Sequence, residues 1–478
     1  MIADGPARWR ALLPLLALLA ATALLRLALG HVYFGFHTGD DVEILAAGAR
    51  RALGWPYRPL EIRNLLLADG VVAPALALAA WCGARTVRAL LWAASFPLVL
   101  LATCNVLLVF LLARRFLRSE RPALLAATLY GLHWIPLSYG SMVYPRTAST
   151  SCVLLATLIV WERRGALWRA ALAGGLIALA WAVRYSEVIF LAAPLAILWW
   201  RGSSSAERLR ASAALLAGFA TASLVSVGVA DWLAWGRPFA SLLAFARFTL
   251  TEGRSSSLHA VQPWYWYLWR SPKWLPPTLL PLLWRARRVP GSLPVAAAAL
   301  APLLALSLIP HKELRYLQGV LPFVVLLAAA GATSLWASGR RGMAAVFCAL
   351  SLPLGLWGIP LLARKSMAAV EAAERLRASA PPGAVVCLSQ SWAYGDALYL
   401  RGLTVRELGY PLRRPALASA LPGCVAVAAY VEDLEREGAR PLLASHGFVA
   451  TGRYRWGLGR PVETWQRRPP LAPATERR

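Results

Sequence analysis

The chain reads as a mainly α-helical, polytopic membrane protein with roughly eleven transmembrane helices and a C-terminal soluble α/β domain. Three observations predict that class. Of 478 residues, 58% are hydrophobic and the mean hydropathy is +0.53, which leaves too little polar surface for a soluble chain of this size. Apolar runs of about 20 residues, the length that crosses a bilayer core, recur along most of the sequence. Short basic clusters punctuate those runs in a regular alternation.

The spans fall at about 12–30, 91–113, 122–140, 145–161, 168–184, 187–200, 211–232, 269–284, 293–310, 316–336 and 342–362. The first follows Arg8 and Arg10 as a signal peptide would, but no small-residue cleavage site stands out, so it reads as a retained anchor. The net charge of +27, from 50 Lys and Arg against 23 Asp and Glu, invites a nucleic-acid reading. The scatter of the charges excludes it. Clusters such as Arg114/Arg115/Arg118/Arg121, Arg201/Arg208/Arg210 and Arg285/Arg287/Arg288 each follow an even number of spans, which is the positive-inside pattern and marks the cytoplasmic side.

That topology leaves segments 31–90, 235–268 and everything after about 365 on the outer face. In the first, Asp41–Leu53 has helical periodicity and Gly54 is a stop signal; the helix is expected to lie on the membrane surface. Asp40 is expected to cap it, with Glu43 completing a capping box. The last segment alternates a charged helix at 366–378, strands at 384–388, 425–431 and 447–454, and a helix at 434–445. The expected domains are therefore 1–364, a transmembrane module; 365–468, an extracytoplasmic α/β domain; and 469–478, a disordered tail. Cys104, Cys152 and Cys348 read as small buried hydrophobes, whereas Cys387 and Cys424 share the last domain and can pair. No CxxC occurs, and no metal site is expected.

Charged groups of both signs lie on the outer face. His311-Lys312-Glu313-Leu314-Arg315 joins two spans there, against the general charge bias. Lysine and arginine hold phosphate oxygens through charge-assisted hydrogen bonds, and the phosphate native to that location is a lipid headgroup or polyprenyl phosphate. Asp40 and Asp41 are adjacent carboxylates whose repulsion raises one pKa toward the range of a general base; they are equally a helix-start signature. Arg146 and Arg184, at outer span ends, either snorkel to the interface or contact phosphate, and Arg63 is a similar case. The stretch Gln262-Pro263-Trp264-Tyr265-Trp266-Tyr267 is either an interfacial aromatic belt or a platform for sugar faces, with Arg254 and His259 nearby. His133, inside a span, reads as structural.

These segments resemble the family-22 glycosyltransferases, multi-spanning enzymes of the GT-C class that include the mannosyltransferases of lipid-linked oligosaccharide and glycolipid-anchor assembly. His311-Lys312-Glu313-Leu314-Arg315-Tyr316 is similar to that family's His-Lys-Glu-x-Arg-Phe signature. Gly236-Arg237 and Pro263-Trp264-Tyr265-Trp266-Tyr267-Leu268 resemble its Tyr-Gly-Arg and His-Pro-Trp-His-Trp-Tyr stretches, with Gln262 and Tyr265 in place of the two histidines. Arg146-Thr147-Ala148-Ser149 resembles its Arg-Thr-x-Ser segment, and Ile62-Arg63-Asn64 an Ile-Arg-Ser turn. His37 through Asp41 resembles the first-loop His-Pro-Asp-Glu motif with one residue inserted, so either Asp40 or Asp41 takes the base position; Asp40 is preferred.

The resemblance covers about residues 10–335 and leaves the last domain unexplained. It implies an inverting transfer of a sugar, most often mannose, from a polyprenyl phosphate, without metal or other cofactor, to a glycan or lipid acceptor. His311, Lys312, Arg315, Arg146 and Arg184 would hold the donor phosphate; His37, Glu43, Arg63, Arg237, Gln262, Trp264, Tyr265, Trp266 and Glu313 would line the sugar and acceptor sites. The implied location is the cytoplasmic membrane, with the active site and last domain outside. The rival class is a transporter or flippase for a lipid-linked or anionic solute, which predicts ionisable residues deep within spans. A third reading, a membrane-anchored scaffold, explains the last domain but not the loop charges.

Overall fold

The computed structural model describes residues 5–162, 166–252, 261–360 and 365–468, with side chains from residue 13 onward except at Leu250. Arg254, His259 and the 469–478 tail lie outside the described residues. Two compact units emerge: one from residues 1–31, 59–79 and 92–359, the other from 32–58, 80–91 and 360–478.

The first unit is helical. Its principal elements are α1 (Gly5–Val32), α3 (Ala73–Trp81), α4 (Val87–Leu117), α5 (Glu120–Gly131), α6 (Trp134–Tyr139), α7 (Pro145–Glu162), α8 (Leu167–Val183), α9 (Ala192–Arg201) and α10 (Ser205–Ser223), followed by helices at Ser292–Leu308, Leu321–Ala337 and Arg341–Leu356. α3 and α4 begin or end in the second unit, which holds α2 (Gly39–Leu53) whole.

Among the described residues, three helical stretches are long and apolar enough to cross a membrane: Leu13–Val32, Val87–Leu117 and Ser205–Trp235. Six shorter apolar helices accompany them: Ala68–Trp81, Leu167–Val183, Ala240–Thr249, Ser292–Leu308, Leu321–Ala337 and Arg341–Leu356. The expected set of about eleven continuous spans therefore appears in a different form. The run at 122–140 is broken between Gly131 and Trp134, where His133 caps the next helix. The run at 187–200 begins as a 3-10 turn, Tyr185–Leu191. The run at 269–284 is split into short pieces at Pro272, Pro276, Pro277 and Pro281, each of which lacks the N–H a continuous helix needs. Ala68–Trp81 and Ala240–Thr249, conversely, are apolar helices inside segments expected to be outer loops.

Packing in this unit relies on small residues, as expected where lipid removes the hydrophobic drive between helices. A Cβ on Gly174 of α8 would stand 1.9 Å from the Leu215 carbonyl oxygen of α10, and one on Gly218 of α10 would stand 1.9 Å from that of Ala171. The two backbones touch. His133 is buried, its Nε2 hydrogen-bonded to the Trp274 carbonyl (2.9 Å) and its Nδ1 accepting from the Ile135 N–H (3.2 Å), the structural role expected of it. The cysteines differ from expectation: Cys104 is exposed, and Cys152 and Cys348 are half-buried, because their spans turn those faces outward rather than into the packed interior.

In the second unit a five-stranded sheet has the order β2-β1-β3-β5-β4, with β1 Val385–Leu388, β2 Thr404–Glu407, β3 Ala426–Tyr430, β4 Phe448–Tyr454 and β5 Val462–Arg467. β1 pairs in parallel with β2 and β3; β5 pairs antiparallel with β3 and β4. Every residue of β3 is buried, which fits its central place. Cys387 on β1 is bonded to Cys424 just before β3, inside a core that includes Leu412, Leu417, Val427, Leu443 and Phe448. β1, β3, β4 and the helical stretch at 431–445 follow the sequence pattern. β2 and β5 do not: three of the four β2 residues are exposed, and β5, though inside the sheet and mostly buried, mixes polar with apolar residues.

Candidate functional site

Helix α2 carries the carboxylate pair. Its N-cap is Thr38, in extended backbone (φ −153°, ψ 163°), not Asp40. Asp41, three residues on, braces the helix start: its Oδ2 accepts the His37 N–H and its Oδ1 the Thr38 hydroxyl, both at 3.0 Å. Glu43, expected in that role, accepts instead from the Tyr57 hydroxyl. Asp41 is buried, whereas Asp40 and His37 are half-buried. Both aspartates sit in the first turn, where the helix dipole favours negative charge. Gly54 ends α2 in the left-handed conformation (φ 65°), as the sequence indicates.

The segment before α2 is clamped to the start of the C-terminal domain. The Phe36 N–H donates to Ser366 Oγ (2.9 Å), and the Ser366 N–H donates to the Phe36 carbonyl (3.0 Å). A Cβ on Gly35 would meet the Met367 nitrogen at 2.5 Å, so glycine is required for this approach. Lys365 is buried in the same clamp, its Nζ donating to the Tyr33 carbonyl at 3.0 Å. Burial pushes its pKa down to about 8, against the opposing attraction of Asp41. Sequence reasoning missed Lys365, which is remote from α2 in the chain.

The basic motif lies in the first unit. The helix Ser292–Leu308 stops before Pro310, and a 3-10 turn, Leu314–Gly319, leads into Leu321–Ala337. Tyr316 is the hub of the turn. The Arg146 guanidinium lies 4.5 Å from its ring centroid, that of Arg184 5.2 Å and that of Arg315 5.8 Å, and the His311 ring stands edge-on at 5.9 Å. Glu313 binds His311 Nε2 (3.1 Å) and is ion-paired with Arg315. Lys312 is buried, with Nζ donating to the carbonyls of Gln262 (3.0 Å) and Ile309 (2.5 Å); burial lowers its pKa. Arg146 is 1% exposed and paired at 2.6 Å with Glu187, also 1% exposed; its Nη1 also donates to the Tyr316 carbonyl (3.2 Å). Arg146, Arg184 and Arg315 thus gather around one ring, with Glu187 paired to Arg146 and Glu313 to Arg315.

The aromatic stretch docks on this loop. The Gln262 N–H donates to the Pro310 carbonyl (2.9 Å), and the Tyr267 hydroxyl donates to the Glu313 carbonyl (3.3 Å). Tyr267 is the buried member; Trp264 and Tyr265 are 66% and 49% exposed and contact each other edge-on, and Trp266 is half-buried. Arg237 is placed differently, in an exposed ion pair with Glu61 (2.6 Å). Arg63 sits in the turn after Glu61, its N–H donating to the Leu60 carbonyl (3.1 Å). The adjacent Asn64 reaches the Ser226 carbonyl (3.0 Å) and buried Asp231 (3.3 Å), which also holds Ser241. Asp231, Glu187 and the fully buried Arg26 of α1 are ionisable residues inside the helical unit that sequence reasoning overlooked; each lies in a run whose mean apolarity hides one charge.

This architecture has solved counterparts. The structure of ArnT from Cupriavidus metallidurans bound to undecaprenyl phosphate superposes with a TM-score of 0.61 over 94% of this chain and 97% of that one, at 12% identity. The oligosaccharyltransferase of Archaeoglobus fulgidus, solved with zinc and sulfate, gives 0.53 over 92% and 73%, also at 12% identity. At these identities the likeness is one of fold. In sequence, the chain is 28% identical over 217 residues to the Dol-P-Man:Man(7)GlcNAc(2)-PP-Dol alpha-1,6-mannosyltransferase of Saccharomyces cerevisiae, a match covering 38% of this chain and 36% of that enzyme. The profile of the Alg9-like mannosyltransferases matches residues 54–393, most of the polypeptide and every part of the basic motif. The chain is a multi-pass membrane protein of GT-C fold and belongs to the Alg9-like mannosyltransferase family.

Proposed function

We propose that this protein is an integral-membrane, inverting glycosyltransferase that moves mannose from a polyprenyl-phosphate donor to a glycan or lipid-linked acceptor on the extracytoplasmic face. The observation that carries the reading is the gathering of Arg146, Arg184 and Arg315 around Tyr316, within the residues matched by the family. The Cys387–Cys424 bond supports an oxidising, extracytoplasmic setting for the C-terminal domain. The named substrates of the yeast relative and the undecaprenyl phosphate of the ArnT structure support a lipid-phosphate donor. A transporter is not favoured, since the family is one of transferases.

In this reading the acceptor hydroxyl gives its proton to Asp40 as its oxygen bonds to the anomeric carbon. The bond from that carbon to the phosphate oxygen breaks, and the polyprenyl phosphate leaves with the electron pair. Lys312, Arg315 and Arg184 meet the charge that grows on the phosphate, where fixed cations act most strongly. Arg146, neutralised by Glu187, positions the turn. Asp40, half-buried where its neighbour Asp41 is buried, acts as the base in this reading. The exposed rings of Trp264 and Tyr265 offer faces to sugar; Gln262, Trp266, Glu313, His37, Glu43, Arg63 and Arg237 remain candidates for supporting contacts.

The test is transfer by purified protein from polyprenyl-phosphate mannose. Asp40→Asn removes a general base and is expected to cut the rate by about 10²–10⁴ while the protein stays folded. Lys312→Ala and Arg315→Ala are expected to impair use of the donor. A wild-type rate in Asp40→Asn moves the base to Asp41; no transfer by the wild type with any lipid-phosphate sugar rejects the reading.

A further inference from the structure

The loop after β1 has no role in the account above, yet it bears on the start of α2. In the sheet, β1 lies between β2 and β3, and the chain leaves β1 to one side and returns to the other. The carboxyl ends of β1 and β3 thus form a topological switch point, where open α/β sheets commonly bind ligands. The loop emerging there is held in an unusual shape. Gln390 adopts φ 63°, a left-handed conformation rare for a residue with a side chain. The Glu407 carboxylate at the end of β2 fixes it, accepting the N–H groups of Gln390 (2.8 Å) and Ser391 (2.6 Å).

The fixed loop then meets the α2 entry twice. A Cβ on Gly395 would stand 2.3 Å from the Phe36 ring, so the loop's end is pressed onto the segment leading to Asp40. The Trp392 indole lies 3.8 Å from the Cβ position of Gly39, the residue next to Asp40. Gly39 has no side chain to cover that ring, and Trp392 is only half-buried. A partly open indole on a fixed loop, beside the residue that precedes Asp40, offers a pyranoside an apolar ring face to stack on next to the helix turn whose carboxylate would accept its hydroxyl proton.

We propose that Trp392, presented by the loop 389–395 of the C-terminal domain, forms one wall of the acceptor site and stacks on the pyranose ring whose hydroxyl Asp40 activates. The inference rests on Asp40 being the base. It gives the C-terminal domain a binding task.

The test uses the full-length protein in detergent, polyprenyl-phosphate mannose as donor, and methyl α-mannopyranoside or a linear α-mannotriose as acceptor probe. Trp392→Ala is expected to raise the acceptor KM about tenfold, the equivalent of roughly 1.4 kcal/mol, with the donor KM unchanged and kcat within about threefold. Trp392→Phe should restore most of the affinity. Saturation-transfer NMR of methyl α-mannopyranoside reads the same contact without turnover: binding is expected in the wild type and in Asp40→Asn, and lost in Trp392→Ala. An unchanged acceptor KM in Trp392→Ala overturns the proposal. So does a fall in kcat with no change in acceptor KM, which would make the ring a mere prop for Gly39. Absence of mannoside binding to the wild type overturns the pyranoside assignment. Transfer retained by Asp40→Asn, with the Trp392 effect intact, sinks only the base assignment.

Discussion

The Arg146–Glu187 pair offers the sharpest energetic test. Both side chains are 1% exposed and 2.6 Å apart, so neither has water to fall back on. Glu187 also accepts from the buried Ser149 hydroxyl (3.2 Å), and Arg146 donates to Ser186 Oγ (3.1 Å) and to the Tyr316 carbonyl (3.2 Å). Glu187→Leu leaves the guanidinium buried without its counter-charge, at an expected cost of about 3–5 kcal/mol. Arg146→Met leaves the carboxylate in the same position, with a similar cost. Arg146→Met/Glu187→Leu removes both charges and keeps the volume, and is expected to recover most of the loss. The assay is a double-mutant cycle on detergent-solubilised protein, read as unfolding free energy, with transfer measured in parallel. Single variants that each lose less than about 1 kcal/mol, or whose losses simply add in the double variant, would refute the coupling. The activity arm tests the role. As a positioning pair it should leave the double variant with measurable transfer; a folded double variant with none would place Arg146 on the donor phosphate.

Lys365 predicts a pH dependence outside the helical unit. Its folded pKa of about 8 lies below the usual lysine value, so the unfolded chain binds more protons between pH 8 and about 10.5, and stability relative to Lys365→Met should rise by about 3 kcal/mol across that window as pH increases. A flat difference between the two proteins in thermal melts would rule this out. Gly218→Val drives a side chain into the Ala171 carbonyl at a backbone contact and should separate α8 from α10, lowering the yield of folded protein; Gly342→Ala, with open space around it, is the control. Loss of the Cys387–Cys424 bond through Cys387→Ser/Cys424→Ser should cost the C-terminal domain about 2–5 kcal/mol, measured by its protease resistance. Wild-type resistance would show that the core holds without it.

Much of this molecule was readable from local signals. Hydropathy marked most of the helices, Gly54 marked the end of α2, and the spacing of apolar residues marked β1, β3 and β4, because each signal acts over a few neighbouring residues. The basic motif was legible because its charges are contiguous, and in the fold its Arg315 joins Arg146 and Arg184 around Tyr316. What failed were the inferences that need a partner from elsewhere in the chain. Asp40 looked like the cap because it precedes an apolar period; the cap is Thr38, and Asp41 serves it, as the geometry of the turn decides. Arg146 is legible as a cation at a span end, but its partner Glu187, on another element, is not.

By itself the sequence determined the membrane class, the family and the residue types available for transfer, since composition, periodicity and contiguous motifs are properties of the chain alone. Only the tertiary structure decided which charges are neutralised, which of two adjacent aspartates is committed to a cap, and that Lys365 and Trp392 border the same helix start. The reason is physical. A charge's chemistry depends on the solvent and counter-charges within a few ångströms, and those neighbours come from segments hundreds of positions apart, which no local pattern encodes.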